Sequence, residues 1–152
     1  MNIVTKLFGE IEIEEKKMIT FNQGIIGFPE LRDFLLIHDS DSSGAIRWLQ
    51  SVQEPAFAMP VIDPLSVMPE YNPCIEDELL KPLAIENEDD VLVLVTITVP
   101  SDLTKMSVNL KAPIVINGAN RRANQIITDD EQYLVKYPIY DILQAAKERA
   151  GV

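Results

Sequence analysis

Cysteine occurs once in this chain, at Cys74, so no disulfide can form within it. A lone thiol fits a reducing, cytoplasmic setting. Basic residues are scarce: 13 Lys plus Arg stand against 24 Asp plus Glu, a net charge of −11. Direct nucleic-acid binding draws its affinity from Lys and Arg at phosphates, and this chain repels phosphate at long range. Arg121-Arg122 is the only adjacent arginine pair. No direct nucleic-acid partner is therefore expected. An acidic chain attracts basic proteins, although the same charge also serves solubility. Long apolar runs are absent too. VLVLVTITV (91–99) is about half the length that a membrane helix requires. The N-terminal MNIVTKLFGEIEIEE lacks a basic leader followed by an apolar core. The expectation is a soluble cytoplasmic protein with no membrane partner.

What is present suits one domain spanning 1–152, with 47% hydrophobic residues. Ile3, Phe8, Ile11, Ile13, Met18 and Phe21 sit among polar residues in short runs. EIEIEE (10–15) alternates as a half-buried strand does, and EEKK then turns the chain. FLLIH (34–38) and IRWLQS (46–51) flank DSDSSG and read as a hairpin. AFAMPVID (56–63) reads as a strand, with Pro60 placing it at an edge or bulge. CIEDELLKPL (74–83) predicts one or two helical turns, acidic residues first, stopped by Pro82. DVLVLVTITV (90–99) is the strongest strand. Val91, Val93, Val95, Ile97 and Val99 share one face; Leu92, Leu94, Thr96 and Thr98 form the other. MSVNLKAPIVIN (106–117) reads as a strand bent at Pro113. QII (125–127) and YLVKY (133–137) read as strands around TDDEQ. PIYDILQAAKERAGV is a helix with an Ile139, Ile142, Leu143, Ala146 stripe. Pro138 suits its start, Lys147 and Arg149 lie near its end, and Gly151 suits its stop. Many short strands with proline-rich connections indicate an all-β sandwich or barrel, plugged or capped by one helix.

Several constellations invite chemistry. DSDSSGAIRWLQ (39–50) nearly matches a calcium loop. Asp39, Asp41 and Ser43 hold positions one, three and five, Gly44 position six and Ile46 position eight. Position twelve should be a bidentate glutamate and is Gln50, a neutral and weaker ligand. A calcium-binding regulatory domain is thus the alternative reading, set against a plain hydrophilic hairpin loop. Cys74 beside Glu76, Asp77 and Glu78 has no nearby histidine to complete a zinc set. His38, the only histidine, has no nucleophile motif. IENEDD (85–90) holds many carboxylates, and nothing shows two of them converging on one pocket. No cofactor, metal, small-molecule substrate or enzymatic activity is expected. The proline-interrupted strands suggest an open edge or apolar groove that accepts a partner's strand or helix; the same prolines also serve simply to guard edges. GIIGFPEL (24–31) has the glycines of a phosphate loop, but no lysine or arginine lies within Phe21–Leu31. Gly24 and Gly27 are better read as permissive positions in a tight turn, followed by a helical start at Pro29-Glu30, with Ile25, Ile26 and Phe28 pinned to the core.

GIIGFPEL preceded by Phe21, WLQS (48–51), FAMPVIDP (57–64), NLKAPIVIN (109–117), and QII followed by Tyr133 and YP (137–138) occur in order over essentially the whole chain. Together they resemble the bacterial flagellar assembly factor FliW family. The resemblance implies a mainly β, compact, β-barrel-like single domain with short helical turns and a C-terminal helix. It implies a non-enzyme with two mutually exclusive partners: flagellin, bound before secretion, and CsrA, an RNA-binding translational repressor whose capture frees flagellin mRNA for translation. Acidic residues Glu76, Asp77, Glu78, Glu86, Glu88, Asp89 and Asp90 are candidates for CsrA contact, against the reading that they form a solvated face. Met59, Val61 and Ile114, near the proline-broken strands, are candidates for flagellin, against the reading that they are core.

Overall fold

The computed structural model describes residues 2–38 and 46–149, leaving out the side chains of Lys147 and Arg149. A hairpin of β1 (Asn2–Thr5) and β2 (Gly9–Glu12) comes first. The EIEIEE alternation ends at Glu12, and Glu15–Lys17 makes the expected turn as a 3-10 helix. The strands β3 (Ile19–Phe21), β4 (Asp33–His38), β5 (Ile46–Ser51), β6 (Ala58–Ile62) and β7 (Val91–Thr98) follow, each antiparallel to the last. Beyond them lie β8 (Ser107–Val108), β9 (Ile114–Asn117), β10 (Arg122–Gln125) and β11 (Tyr137–Pro138). β9 pairs with both β7 and β10, and β10 pairs in parallel with β3. The ring β3-β4-β5-β6-β7-β9-β10 therefore closes as a seven-stranded barrel. Closure removes the free edges an open sheet would leave.

The barrel interior holds Ile19, Phe21, Phe34, Leu49, Leu94 and Ile116, all essentially without solvent contact. The two faces of β7 diverge as the alternation requires. Leu92 and Leu94 point into the barrel, while Val95 and Ile97 join a second cluster with Tyr71, Val108, Leu110 and Ile139. Val91 belongs to a third cluster around Leu83, Val115 and Ile126. Val99, assigned to the apolar face from sequence, lies past the strand and is exposed.

Pro60 sits inside a closed barrel at no cost to the ladder. The Ser51 N–H donates to the Phe57 carbonyl at 3.0 Å. Bonded and non-bonded pairs alternate in an antiparallel ladder, so Leu49–Met59 is bonded and Trp48–Pro60 is not. The missing N–H of Pro60 thus faces β7, and pairing with β7 covers only Val61–Thr96 and Ile62–Val95. The edge expected of this proline is local to residues 58–60.

Five other expectations change. The segment 106–117 is two strands rather than one bent strand. The Asn109 carboxamide oxygen accepts from the Lys111 and Ala112 N–H groups, and the chain turns between β8 and β9. YLVKY is no strand, because only Tyr137 pairs; Leu134 and Val135 are exposed, and the Leu134 carbonyl accepts a single bond from Leu110 N–H. QII contributes only Gln125 to β10, although Ile126 and Thr128 N–H continue bonding to Pro113 and Lys111 carbonyls. The C-terminal helix, α2 (Tyr140–Arg149), packs Ile142 and Leu143 on the second cluster beside Ile139, but Ala146 is exposed. Pro138 lies in β11 rather than at the helix start.

Candidate functional site: an acidic-rimmed groove on the barrel wall

Residues 74–90 leave the second cluster and cross the outer face of β7 and β9. The first short helix, α1 (Asp77–Leu80), opens with Asp77 and Glu78, whose charge suits a helix N-terminus. α1 ends at Leu80, short of Pro82 as expected, and a separate 3-10 turn over Lys81–Leu83 takes in the proline. Ala84, in the left-handed region at φ 49°, then turns the chain. The end of this segment is gripped by side chains from the barrel. The Leu83 carbonyl accepts from Asn117 Nδ2 and Asn120 Nδ2, both at 2.9 Å, and Leu83 itself is buried. Asn124 Nδ2 reaches the Leu79 carbonyl at 3.4 Å, and Thr128 Oγ1 donates to the Cys74 carbonyl at 2.8 Å. At the far end, Asn87 caps the 3-10 turn Glu88–Asp90, and Gly118 N–H donates to the Asp90 carbonyl at 2.8 Å.

Between this strap and the barrel lies a groove of about 710 Å³. Its floor is Val91, Val93 and Val115; its wall is Ile75, Leu80 and Ile85. Val93 and Val115 are register partners on the face turned away from the barrel interior, just as their neighbours Leu94 and Ile114 point inward together. Asp77 and Glu88 line the groove, so two acidic stretches separate in sequence meet at one place. Glu76, Glu78, Glu86, Asp89 and Asp90 are exposed beside them. Lys81 is the one cation among the lining residues, and it pairs with Glu78 at 3.2 Å across two exposed side chains.

The apolar candidates do not join this groove. Val61 and Ile114 are fully buried in the barrel interior and offer no surface to a partner; Met59 is half-buried. The groove-holding residues Asn117, Asn120 and Asn124 had no signal in the sequence beyond an asparagine ending the IVIN run, since their role is set by chain that arrives from residues 79–84.

The glycine loop is a turn. Gly24 and Gly27 have φ of 67° and 90°. Ile25 and Phe28 bridge through Phe28 N–H to the Ile25 carbonyl at 2.9 Å, and Leu31 N–H donates to the Phe28 carbonyl at 3.0 Å. Pro29 and Glu30 continue the turn and start no helix. Of the residues expected to pin it, only Ile25 is core. Ile26 is 49% and Phe28 42% exposed, with Phe28 lying 4.9 Å from Phe57 between ring centres.

The calcium positions Asp39, Asp41, Ser43 and Gly44 lie outside the described residues. Gln50, at position twelve, is in β5, which carries it about 13 Å from Ile46 along a strand. It is buried there, its amide donating to the Ser51, Pro55 and Phe57 carbonyls at 3.0–3.1 Å. A calcium loop needs that residue folded back on a helix, so the site is not assembled from it. Among the described residues, no group of three or more His, Cys, Asp or Glu is placed to hold a metal, and no helix is long and apolar enough to cross a membrane.

The model of the FliW protein family matches residues 2–139. The chain is similar to the flagellar assembly factor FliW of Lachnoclostridium phytofermentans, at 47% identity over 99% of both chains. It is similar to that of Lachnospira eligens at 46% identity, over 95% of this chain and 97% of the other. A crystal structure of a flagellar assembly factor FliW superposes with a TM-score of 0.84 and 37% identity, covering 91% of this chain and 96% of that one.

Proposed function

The chain belongs to the FliW family of flagellar assembly factors and is no enzyme, and from that premise we propose that it switches between two protein partners in the cytoplasm. It binds flagellin as a chaperone-like partner. When free of flagellin, it binds the translational repressor CsrA and so relieves repression of flagellin mRNA. The observation that carries the CsrA half is the gathering of Asp77 and Glu88, with Glu76, Glu78, Glu86, Asp89 and Asp90 nearby, at the lips of one apolar groove in a chain of net charge −11. A protein that grips RNA must present positive charge, and an acidic surface both meets that charge and repels the RNA that competes for it. For flagellin, the half-buried Met59, where β6 is unpaired toward β7, is the candidate contact.

The test is competition between purified components. A labelled CsrA–chain complex should dissociate on addition of flagellin, and a ternary complex should not form. Failure of the chain to bind either protein, or simultaneous binding of both, would overturn the switch.

A further inference from the structure

We propose that Asn117-Gly118 is a site of spontaneous deamidation that the strap over residues 74–90 keeps closed, and that its conversion locks the strap open. The step needs no enzyme and no protein partner, because its reactants are this chain and water.

The chemistry belongs to the dipeptide. The Gly118 backbone nitrogen attacks Asn117 Cγ; a nitrogen–carbon bond forms and the Cγ–Nδ2 bond breaks. Nδ2 leaves as ammonia, taking up the proton that the Gly118 nitrogen gives off. Water then opens the cyclic imide at either carbonyl, leaving aspartate or isoaspartate. Nothing is oxidised or reduced. Glycine has no Cβ to obstruct the attack, and this is the only Asn-Gly pair in the chain.

In the fold each atom of that step is held. Asn117 ends β9 in register with both Val91 and Arg122, and its carbonyl accepts from Arg121 N–H at 2.8 Å, so its backbone cannot swing. The residue is 2% exposed. Its Nδ2 donates to the Leu83 and Ala84 carbonyls at 2.9 and 3.3 Å, and its Oδ1 accepts from Ala119 N–H at 3.0 Å. The nucleophile is engaged as well, since Gly118 N–H donates to the Asp90 carbonyl at 2.8 Å. Leu83, Ala84 and Asp90 all belong to the strap. Attack therefore waits for the strap to lift, and its rate follows the fraction of chains locally open.

The product cannot restore the grip. A carboxylate accepts but does not donate, so the Leu83 and Ala84 carbonyls would face an oxygen where an N–H stood. That leaves a buried charge and two buried acceptors without their donor. Isoaspartate also adds a main-chain carbon between residues 117 and 118, which shifts Gly118 away from Asp90. An opening that is reversible in the native chain thus becomes permanent.

The full-length chain should be incubated at mildly alkaline pH, folded and, separately, unfolded in guanidinium, then digested with trypsin. Cleavage after Lys111 and Arg121 releases Ala112–Arg121, in which fragmentation separates Asn117 from Asn120. In the unfolded chain Asn117 should convert faster than Asn120. In the folded chain its conversion should be slower by about tenfold or more. Asn120→Ala leaves the dipeptide intact but removes the second bond to the Leu83 carbonyl, and should speed folded-state conversion about threefold or more. Equal rates folded and unfolded, an Asn117 that survives unfolding, or an unchanged rate in Asn120→Ala overturns the guarded site. Asn117→Asp reproduces one product. Its amides over 79–90 should exchange rapidly while those of β4 and β5 stay slow. Wild-type protection over 79–90, or loss of protection throughout the chain, overturns the lock.

Discussion

A methyl group added at position 24 would stand 2.4 Å from the Pro29 carbonyl oxygen, on a backbone at φ 67°. Position 27 has an equally unusual φ of 90° but open space around it. The two glycines of GIIG therefore answer to different forces. Gly27→Ala should cost about 1–2 kcal/mol, the left-handed strain alone. Gly24→Ala adds a backbone collision and should cost about 2–5 kcal/mol. Urea unfolding of the two variants checks the order, and equal losses would contradict it. Tyr71 offers a second test at this scale. Its hydroxyl donates to the Leu110 carbonyl at 2.6 Å, and its ring meets Tyr133 at 4.6 Å. Burial, reinforced by Tyr133 and Asp130, pushes its phenol well above the usual tyrosine value. The folded chain thus keeps a proton that an unfolded tyrosine releases near pH 10. Below that pH the contribution is complete; above it, stability falls as pH rises. Tyr71→Phe should lower Tm at pH 7 through the lost hydrogen bond, yet show a shallower fall above about pH 10. A parallel decline in both proteins would show that Tyr71 is not the titrating group.

Among the elements, the strap over residues 74–90 depends most on partners distant in sequence. Asn117 is buried, with its amide on the Leu83 and Ala84 carbonyls and its oxygen accepting from Ala119 N–H. Asn117→Ala should cost about 1–3 kcal/mol, because the Ala119 donor loses its partner and Leu83 keeps only Asn120. Hydrogen exchange should rise over residues 79–90 while the β4–β5 amides stay slow; uniform acceleration would mean that the strap is not a separate unit. This dependence also explains what the sequence revealed. The β4–β5 hairpin and β7 were legible, since alternation of Phe34, Leu35 and Leu49 or of Leu94 and Val95 is written into consecutive residues. The split between β8 and β9 was not, because it follows from the Asn109 side chain bonding ahead to Lys111 and Ala112. Closure through the parallel β3–β10 pair was equally hidden, since its partners Thr20 and Arg122 are far apart in the chain. Asp77 and Glu88 stand in separate acidic runs of the sequence; that both line one groove was not legible there, because Ala84 and the asparagine grip bring them together.

At the scale of the whole molecule, the net charge of −11 and the local rim make different claims about binding. If the overall field draws in a basic partner, where the carboxylates sit matters little. If the groove binds it, position decides. Two variants of equal charge separate these accounts. Reversing Glu76, Asp77 and Glu78 to lysine adds two charges per site, so the net charge moves from −11 to −5. Reversing Glu10, Glu12 and Glu15 on the first hairpin and its following turn makes the same change far along the sequence. All six are exposed, so neither variant should disturb the fold. The groove variant should lose CsrA affinity by about an order of magnitude or more, mostly through faster dissociation, because contacts at the site are broken. The hairpin variant should mainly slow association, since only long-range steering is reduced. Salt provides the second axis. Screening shortens from about 10 Å at 0.1 M to about 3 Å at 1 M, so wild-type association should slow with salt and the hairpin variant's deficit should vanish there. The groove variant's deficit should persist at high salt, because the apolar groove is then lined by a misplaced lysine at position 77 with two more next to it in the chain. Equal losses in the two variants at every ionic strength would assign CsrA binding to net charge and strip the groove of its role.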